Sequence, residues 1–279
     1  MDAEAVAEIP DPTERAKAIN RLIDEHTDAI NRLSPLRKFA LEEMLATGMT
    51  QQQIADRLDM TRSRVSQILT QNMKAERAFL GNGKLTVAIG SKLEAGRADP
   101  GGVVSTEAFS AFETLADLAR SVGLDASFET VPPPGLVHLN RPNLIVLTNP
   151  RLLPFLSQVM EADSHLRYFS DEKGWYLVDL TAGVEYRSPR DDGEQKDYAY
   201  IGRLPRPDGK GNFLYLAGVH AQGTLGAAHF LAANLNELYK ELKNKRFSLA
   251  ISCEYDGKAS PPKILTMERL TPIYRHEGA

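Results

Sequence analysis

The 279-residue chain has one cysteine and one tryptophan. A single cysteine, Cys253, excludes a disulfide framework within one chain and a cysteine zinc site, so a reducing cytoplasm is the expected compartment. Cys253 lies in the strand-like run FSLAISCEY. Cysteine usually behaves there as a small buried apolar group, so it is expected in the core and not as a nucleophile. No apolar run approaches the ~18 residues needed to span a bilayer, and no membrane partner is expected. The acidic opening MDAEAVAEIPDP has no apolar h-region, so no signal peptide is expected. The net charge of −4 is too mild, and of the wrong sign, for a polybasic nucleic-acid coat. Internal repeats, low-complexity tracts, a G-x-G-x-x-G fingerprint and a P-loop are all missing. His138, His165, His229 and His276 have no metal-ligand spacing. No metal, no cofactor and no catalytic residue is therefore assigned.

What is present divides in two. Residues 12–79 read as almost all helix. Asp11 suits an N-cap and Pro12 the first helical position. Ile19, Leu22, Ile23, Ile30 and Leu33 recur at helical spacing, and from Leu36 a second periodic stretch, LRKFALEEMLATG, ends at Gly48. LGNGK at 80–84 is a Gly/Asn break and is taken as a linker. Beyond it, LTVAIG, NLIVLT, NFLYLAGV and RFSLAISCEY are compact apolar runs separated by helix-like stretches. That alternation predicts an α/β domain over 85–279 with a partly parallel sheet, Rossmann-like and three-layered. LRYFSDEKGWYLVDLTAGVEYRSP, with its short alternating runs and Lys-Gly and Ala-Gly turns, predicts an antiparallel insertion.

The most specific signal is TGMTQQQIADRLDMTRSRVSQILTQ at 47–71. Thr50 caps a helix, with Gln53 completing a capping box. Ile54 and Leu58 form its inner face. A tight Asp-Met connection follows, and Thr61 caps the next helix. There Val65, Ile68 and Leu69 point inward, leaving Arg62, Ser63, Ser66 and Gln67 outward with Arg64 at the margin. Two capped helices, a short turn and a polar basic outer face suit a major-groove reader of double-stranded DNA. The predicted helix-turn-helix spans 50–70 within a helical domain of residues 1–79. Its DNA-binding residues are Thr50, Gln51, Thr61, Arg62, Ser63, Arg64, Ser66 and Gln67. Residues 32–77 carry about +3 and residues 1–31 about −5. So weak a basic patch implies low affinity for a single module, and a homodimer presenting two reading helices is expected.

The stretch SPLRKFALEEMLATGMTQQQIADRLDMTRSRVSQIL resembles the helix-turn-helix of sigma-70 region 4 and related bacterial regulators, most closely in RSRVSQIL. The resemblance covers about residues 34–71, and no other sigma-factor region is seen. It implies transcription regulation in a bacterial cytoplasm. The acidic helix before it is similar to extensions of actinobacterial regulators of this type, and is a candidate contact for a second copy or for RNA polymerase.

Open parallel sheets place ligands beyond the carboxyl ends of their strands. Three loops there are polar and rich in Gly or Pro. They supply Gly90 and Ser91, then Asn149, Pro150 and Arg151, then Gly218, His220, Gly223, Thr224 and Gly226. Glycines admit backbone N–H groups to an anion, and a following helix start adds a favourable dipole. A nucleotide or phosphorylated small-molecule effector is the expected ligand. The rival expectation is a nucleotide-processing enzyme, a hydrolase or transferase localised by the helix-turn-helix, with Glu94, Asp191, Asp192 and His220 as its candidates. The charges of 186–212, Asp191, Asp192 and Asp197 among them, are expected to be solvated loop charges.

Overall fold

A computed structural model describes residues 6–70, 76–81, 83–96 and 98–276. Gln71 of the expected recognition helix, Asn82 of the expected linker, Arg97 of the loop after the first strand and the side chain of Ile30 lie outside the described residues. The chain forms two compact units, Met1–Met73 and Lys74–Ala279.

The first unit opens with helix α1, Pro12–Ala46. Asp11 accepts hydrogen bonds from the backbone N–H of Thr13 and Glu14 at 2.7 and 3.0 Å, which satisfies two donors at the helix start. The periodicity suggested a break before Leu36. Instead one helix of 35 residues, Pro12–Ala46, runs through this point. It stops at Thr47, where Gly48 takes a left-handed φ of 89°. Helices α2, Gln51–Arg57, and α3, Arg62–Thr70, follow. Leu41, Ile54, Ala55, Val65, Ile68 and Leu69 form the core of this unit. Leu58 is not part of it. It caps the C-terminus of α2 and is 41% exposed, and Ala55 takes its expected inner position.

The second unit starts earlier than the expected linker. Helix α4, Arg77–Leu80, is built into its core through Phe79 and Leu80. Two arginines fix it. Arg77 donates to the Gly123 carbonyl at 3.0 Å. Arg203, 5% exposed, donates to the carbonyls of Phe79, Lys243 and Lys245 and lies 4.1 Å from the Phe79 ring centroid. Burial pushes the Arg203 guanidinium down to about 10.

After α4 come β1 (Leu85–Gly90), a two-residue ribbon β2 (Lys92–Leu93) and β3 (Gly102–Val103), and α5 (Thr106–Ser121). Then follow β4 (Ala126–Val131), β5 (Leu144–Leu147) and the short helix α6 (Leu156–Val159). An antiparallel sheet of β6 (Leu166–Asp171), β7 (Gly174–Asp179) and β8 (Val184–Tyr186) is the expected insertion. The chain ends with β9 (Lys196–Pro205), β10 (Asn212–Gly218), α7 (Ala221–Leu242), β11 (Phe247–Asp256), β12 (Lys263–Arg269) and β13 (Tyr274–Arg275). The main sheet is mixed, in the order β12-β11-β9-β10-β5-β1-β4, with β13 beside β11. Strands β4, β1, β5 and β10 are parallel, whereas β9 runs antiparallel to β10 and β11.

Both faces of the sheet are buried along β1, β5, β10 and β11, so these strands read as continuous apolar runs. Alternate residues still part cleanly. Val87, Ile89, Ile145, Leu147, Leu214 and Leu216 join the core under α5 and α7. Ala88, Val146, Tyr200, Tyr215 and Ala217 face the opposite core. That second face is covered by the 137–160 segment and the small antiparallel sheet, not by a second pair of long helices. Among the described residues no helix is long and apolar enough to cross a membrane. Cys253 is buried, and burial pushes its thiol up to about 12, consistent with a core residue.

Asp197, at the start of β9, is fully buried rather than solvated. Its carboxylate accepts from the Ser188 hydroxyl at 2.6 Å and from the backbone N–H of Tyr198, His220 and Gly223 at 2.9, 3.0 and 2.7 Å. Burial raises this carboxyl, and the hydrogen bonds from Ser188, Tyr198 and Gly223 and the nearby His220 oppose the rise. Replacing Asp197 by Ala leaves those donors without their acceptor and is expected to cost about 3 kcal/mol or more of unfolding free energy. Urea unfolding measures the loss, and a change within ~0.5 kcal/mol contradicts the role given to Asp197.

Burial holds His276 and His229 below the ordinary imidazole value of 6.5. Below that value the unfolded chain binds more protons than the folded one. Stability that is complete above pH 6.5 is therefore expected to fall as the pH drops below it. Urea midpoints at pH 7.5 and 5.5 check the sign, and His276→Gln should reduce the difference.

Candidate nucleic-acid interface and ligand cavity

Helices α2 and α3 are joined by a turn in which Asp59 adopts a φ of 51°, a left-handed conformation that Asp tolerates better than most residues. The Met60 N–H closes the turn on the Ala55 carbonyl at 2.9 Å. Thr50 and Gln53 form the expected capping box: the Thr50 N–H donates to Gln53 Oε1 at 2.8 Å, and Thr50 Oγ1 accepts from the Gln53 N–H at 3.3 Å. Thr61 Oγ1 accepts from the Arg64 N–H at 3.1 Å and so caps α3. Buried Val65, Ile68 and Leu69 anchor α3 from within.

The opposite side of α3 carries Arg62, Ser63, Arg64 and Gln67, all exposed, and half-buried Ser66. Thr50 and Thr61 are exposed at the two helix starts, and Gln51 is half-buried. All eight residues assigned to DNA from sequence thus belong to one capped helix pair. Guanidinium groups at the start of a helix have the reach to bond guanine bidentately, and a glutamine amide on the same face can do so for adenine.

The second candidate lies in the C-terminal unit. Strand order reverses between β1, which crosses over to β4, and β5, which lies on the other side of β1. Such a switch point opens a crevice at the strand ends. A cavity of about 240 Å³ occupies it. Gly90 ends β1 there, and the ribbon contributes Lys92 and Val103. The segment after β5 contributes Thr148, Asn149, Arg151 and Leu152. The starts of α5 and α7 supply Ser105, Ala108, Ala221 and Thr224.

Four of the ten residues assigned to a ligand from sequence meet here: Gly90, Asn149, Arg151 and Thr224. Ser91 and Pro150 are buried next to lining residues in the chain. Gly218, His220, Gly223 and Gly226 serve the turn itself. The His220 and Gly223 N–H groups bond Asp197, and the Gly218 N–H bonds Thr224 Oγ1 at 2.9 Å. A Cβ on Gly223 would lie 2.6 Å from Asp197 Oδ2, and one on Gly226 would lie 2.5 Å from Cys253 Sγ. The expected anion recognition by this turn is realised with a carboxylate of the chain itself. The His220 ring bonds Asp191 at 2.8 Å. Glu94 accepts from the Gly101 N–H, and no cluster of three metal-ligating side chains occurs among the described residues.

Sequence reasoning missed Lys92, Ser105 and Thr148 in the lining. Lys92 directly follows Gly90-Ser91, and Ser105 opens the helix-like run STEAF, so both had a local signal. Thr148 follows the strand run NLIVL directly, and its contact with Gly90 shows in three dimensions: a Cβ on Gly90 would lie 2.7 Å from Thr148 Cβ, so this strand end needs glycine.

Comparison with known proteins agrees with the helical geometry. A search among curated proteins and a search among solved structures each gave no match. Residues 29–75 match the family Sigma-70, region 4, a span that contains both capped helices and every residue assigned to DNA.

Proposed function

We propose that the protein is a sequence-specific DNA-binding transcription regulator, acting as a homodimer, whose C-terminal unit senses a small anionic ligand. One observation carries the first part. The outer face of α3, with Arg62, Ser63, Arg64 and Gln67, sits on a capped helix pair inside the span, residues 29–75, that matches Sigma-70, region 4. The homodimer reading rests on α1. Ile19, Ile23, Leu33 and Leu36 are 41–62% exposed at helical spacing along it, apolar surface that a second copy could cover. Two reading helices also remedy the weak charge of one module. The acidic start of α1 is a candidate contact for RNA polymerase.

The sensing reading rests on the cavity at the switch point, with two cationic side chains and two helix starts around it. The parallel order β4-β1-β5-β10 supports a Rossmann-like reading of that half of the sheet. Ligand binding regulates DNA binding only if the ligand has unequal affinity for two states of the protein. Arg203 and Arg77 clamp the chain where it enters the C-terminal unit, which suits that point to transmit such a bias.

The expected outcome of a mobility-shift assay is retention of one duplex sequence over others. Arg62→Ala and Gln67→Ala should each weaken it by about 1–3 kcal/mol and relax the base preference at one position. Unchanged affinity and preference in both variants contradicts the assignment of the reading helix.

A further inference from the structure

We infer that the switch-point cavity takes a sugar phosphate or nucleoside monophosphate, a ligand that joins an anionic group to a neutral part bearing O–H or N–H donors. This rests on the anionic-ligand reading above and adds a second demand to it. The demand comes from Asn149. It is 7% exposed, and its amide nitrogen donates to the carbonyls of Gly218 and Val219, both at 3.2 Å. Those two bonds fix which way the amide faces. Its Oδ1 is left buried with no hydrogen-bond partner. A buried acceptor without a donor is costly, and native structures rarely keep one without a use. An anion cannot meet this oxygen, because both would be acceptors. The group that meets it must donate.

The rest of the lining attracts negative charge. Lys92 and Arg151 are exposed cations on the wall. Helix α5 spans 16 residues, and Ser105 caps only its Ala108 N–H, so the Thr106 and Glu107 N–H groups have no intrahelical acceptor. Its positive end therefore remains open to an anion. The start of α7 is different, since Asp197 already takes two of its N–H groups. The nearest acid on α5, Glu107, is engaged by Gln222 and Thr106 and does not line the cavity. Leu147, Leu152 and Val103 give the cavity an apolar wall for the body of a ligand. Its 240 Å³ is far more than one phosphate group fills.

Calorimetric titration of the full chain with four probes tests the inference: adenosine 5′-monophosphate, ribose 5-phosphate, methyl phosphate and adenosine. At least one of the first two should bind about tenfold or more tighter than methyl phosphate and than adenosine. Arg151→Ala should weaken that probe by about tenfold. Asn149→Ala should remove its advantage over methyl phosphate. Should this variant fail to fold, the ranking of probes on the native chain decides alone. Methyl phosphate binding within about threefold of the best probe overturns the donor demand and leaves the anionic reading standing. Adenosine binding as tightly as its monophosphate overturns the anionic reading. No binding by any probe at millimolar concentration overturns both.

Discussion

The C-terminal unit depends on one buried carboxylate. Asp197 stands where β9 begins, and its two oxygens bind the 3-10 turn at Pro189–Asp192 through Ser188, its own strand through Tyr198, and the start of α7 through His220 and Gly223. A charge this deep is tolerated only when its lone pairs are satisfied. Here two of the four donors, the His220 and Gly223 N–H groups, lie at a helix start, where such groups are orphaned by helix geometry and favour negative charge. The two deficits cancel. Close approach of Asp197 to the helix is possible because position 223 has no Cβ, and close approach of α7 to β11 because position 226 has none. The glycines that look like a ligand loop are thus consequences of an internal anion.

This constraint also directs attention along the strand ends. With the start of α7 partly neutralised, the open positive features lie one element away, at α5, Lys92 and Arg151. Asn149 connects the two regions. Its amide nitrogen bonds the carbonyls that lead into α7, and its oxygen remains without a partner beside the cavity. In the first unit an equally local logic applies. Two threonine caps and a six-residue core hold α3 with its basic and polar side turned out.

The parts of this architecture legible in sequence were those specified by neighbours in the chain. Thr50 with Gln53, and Thr61 before Arg64, are capping signals complete within four residues. The inner strands β1, β5, β10 and β11 could be read because they are buried on both faces, which makes each run continuously apolar. What was misread turned on where helices end or on distant partners. Leu58 has the right spacing for an inner face, but α2 ends there and the residue turns out. The periodic stretch from Leu36 reads as a second helix, yet Pro12–Ala46 is one helix. Arg77–Leu80 reads as the tail of a helical domain, and partners distant in the chain, Arg203, Phe247 and the Gly123 carbonyl, draw it into the sheet unit. Asp197 sits among charges that resemble a solvated loop, and nothing local reveals the donors from positions 220 and 223.

The central claim is that α3 reads base sequence. Selection of duplexes from a random pool by the full chain, followed by titration of the enriched sequence at several salt concentrations, tests it most directly. The account predicts a defined site, bound about a thousandfold more tightly than a scrambled duplex at one salt concentration. Equal binding of enriched and scrambled duplexes, differing only in response to salt, would contradict it.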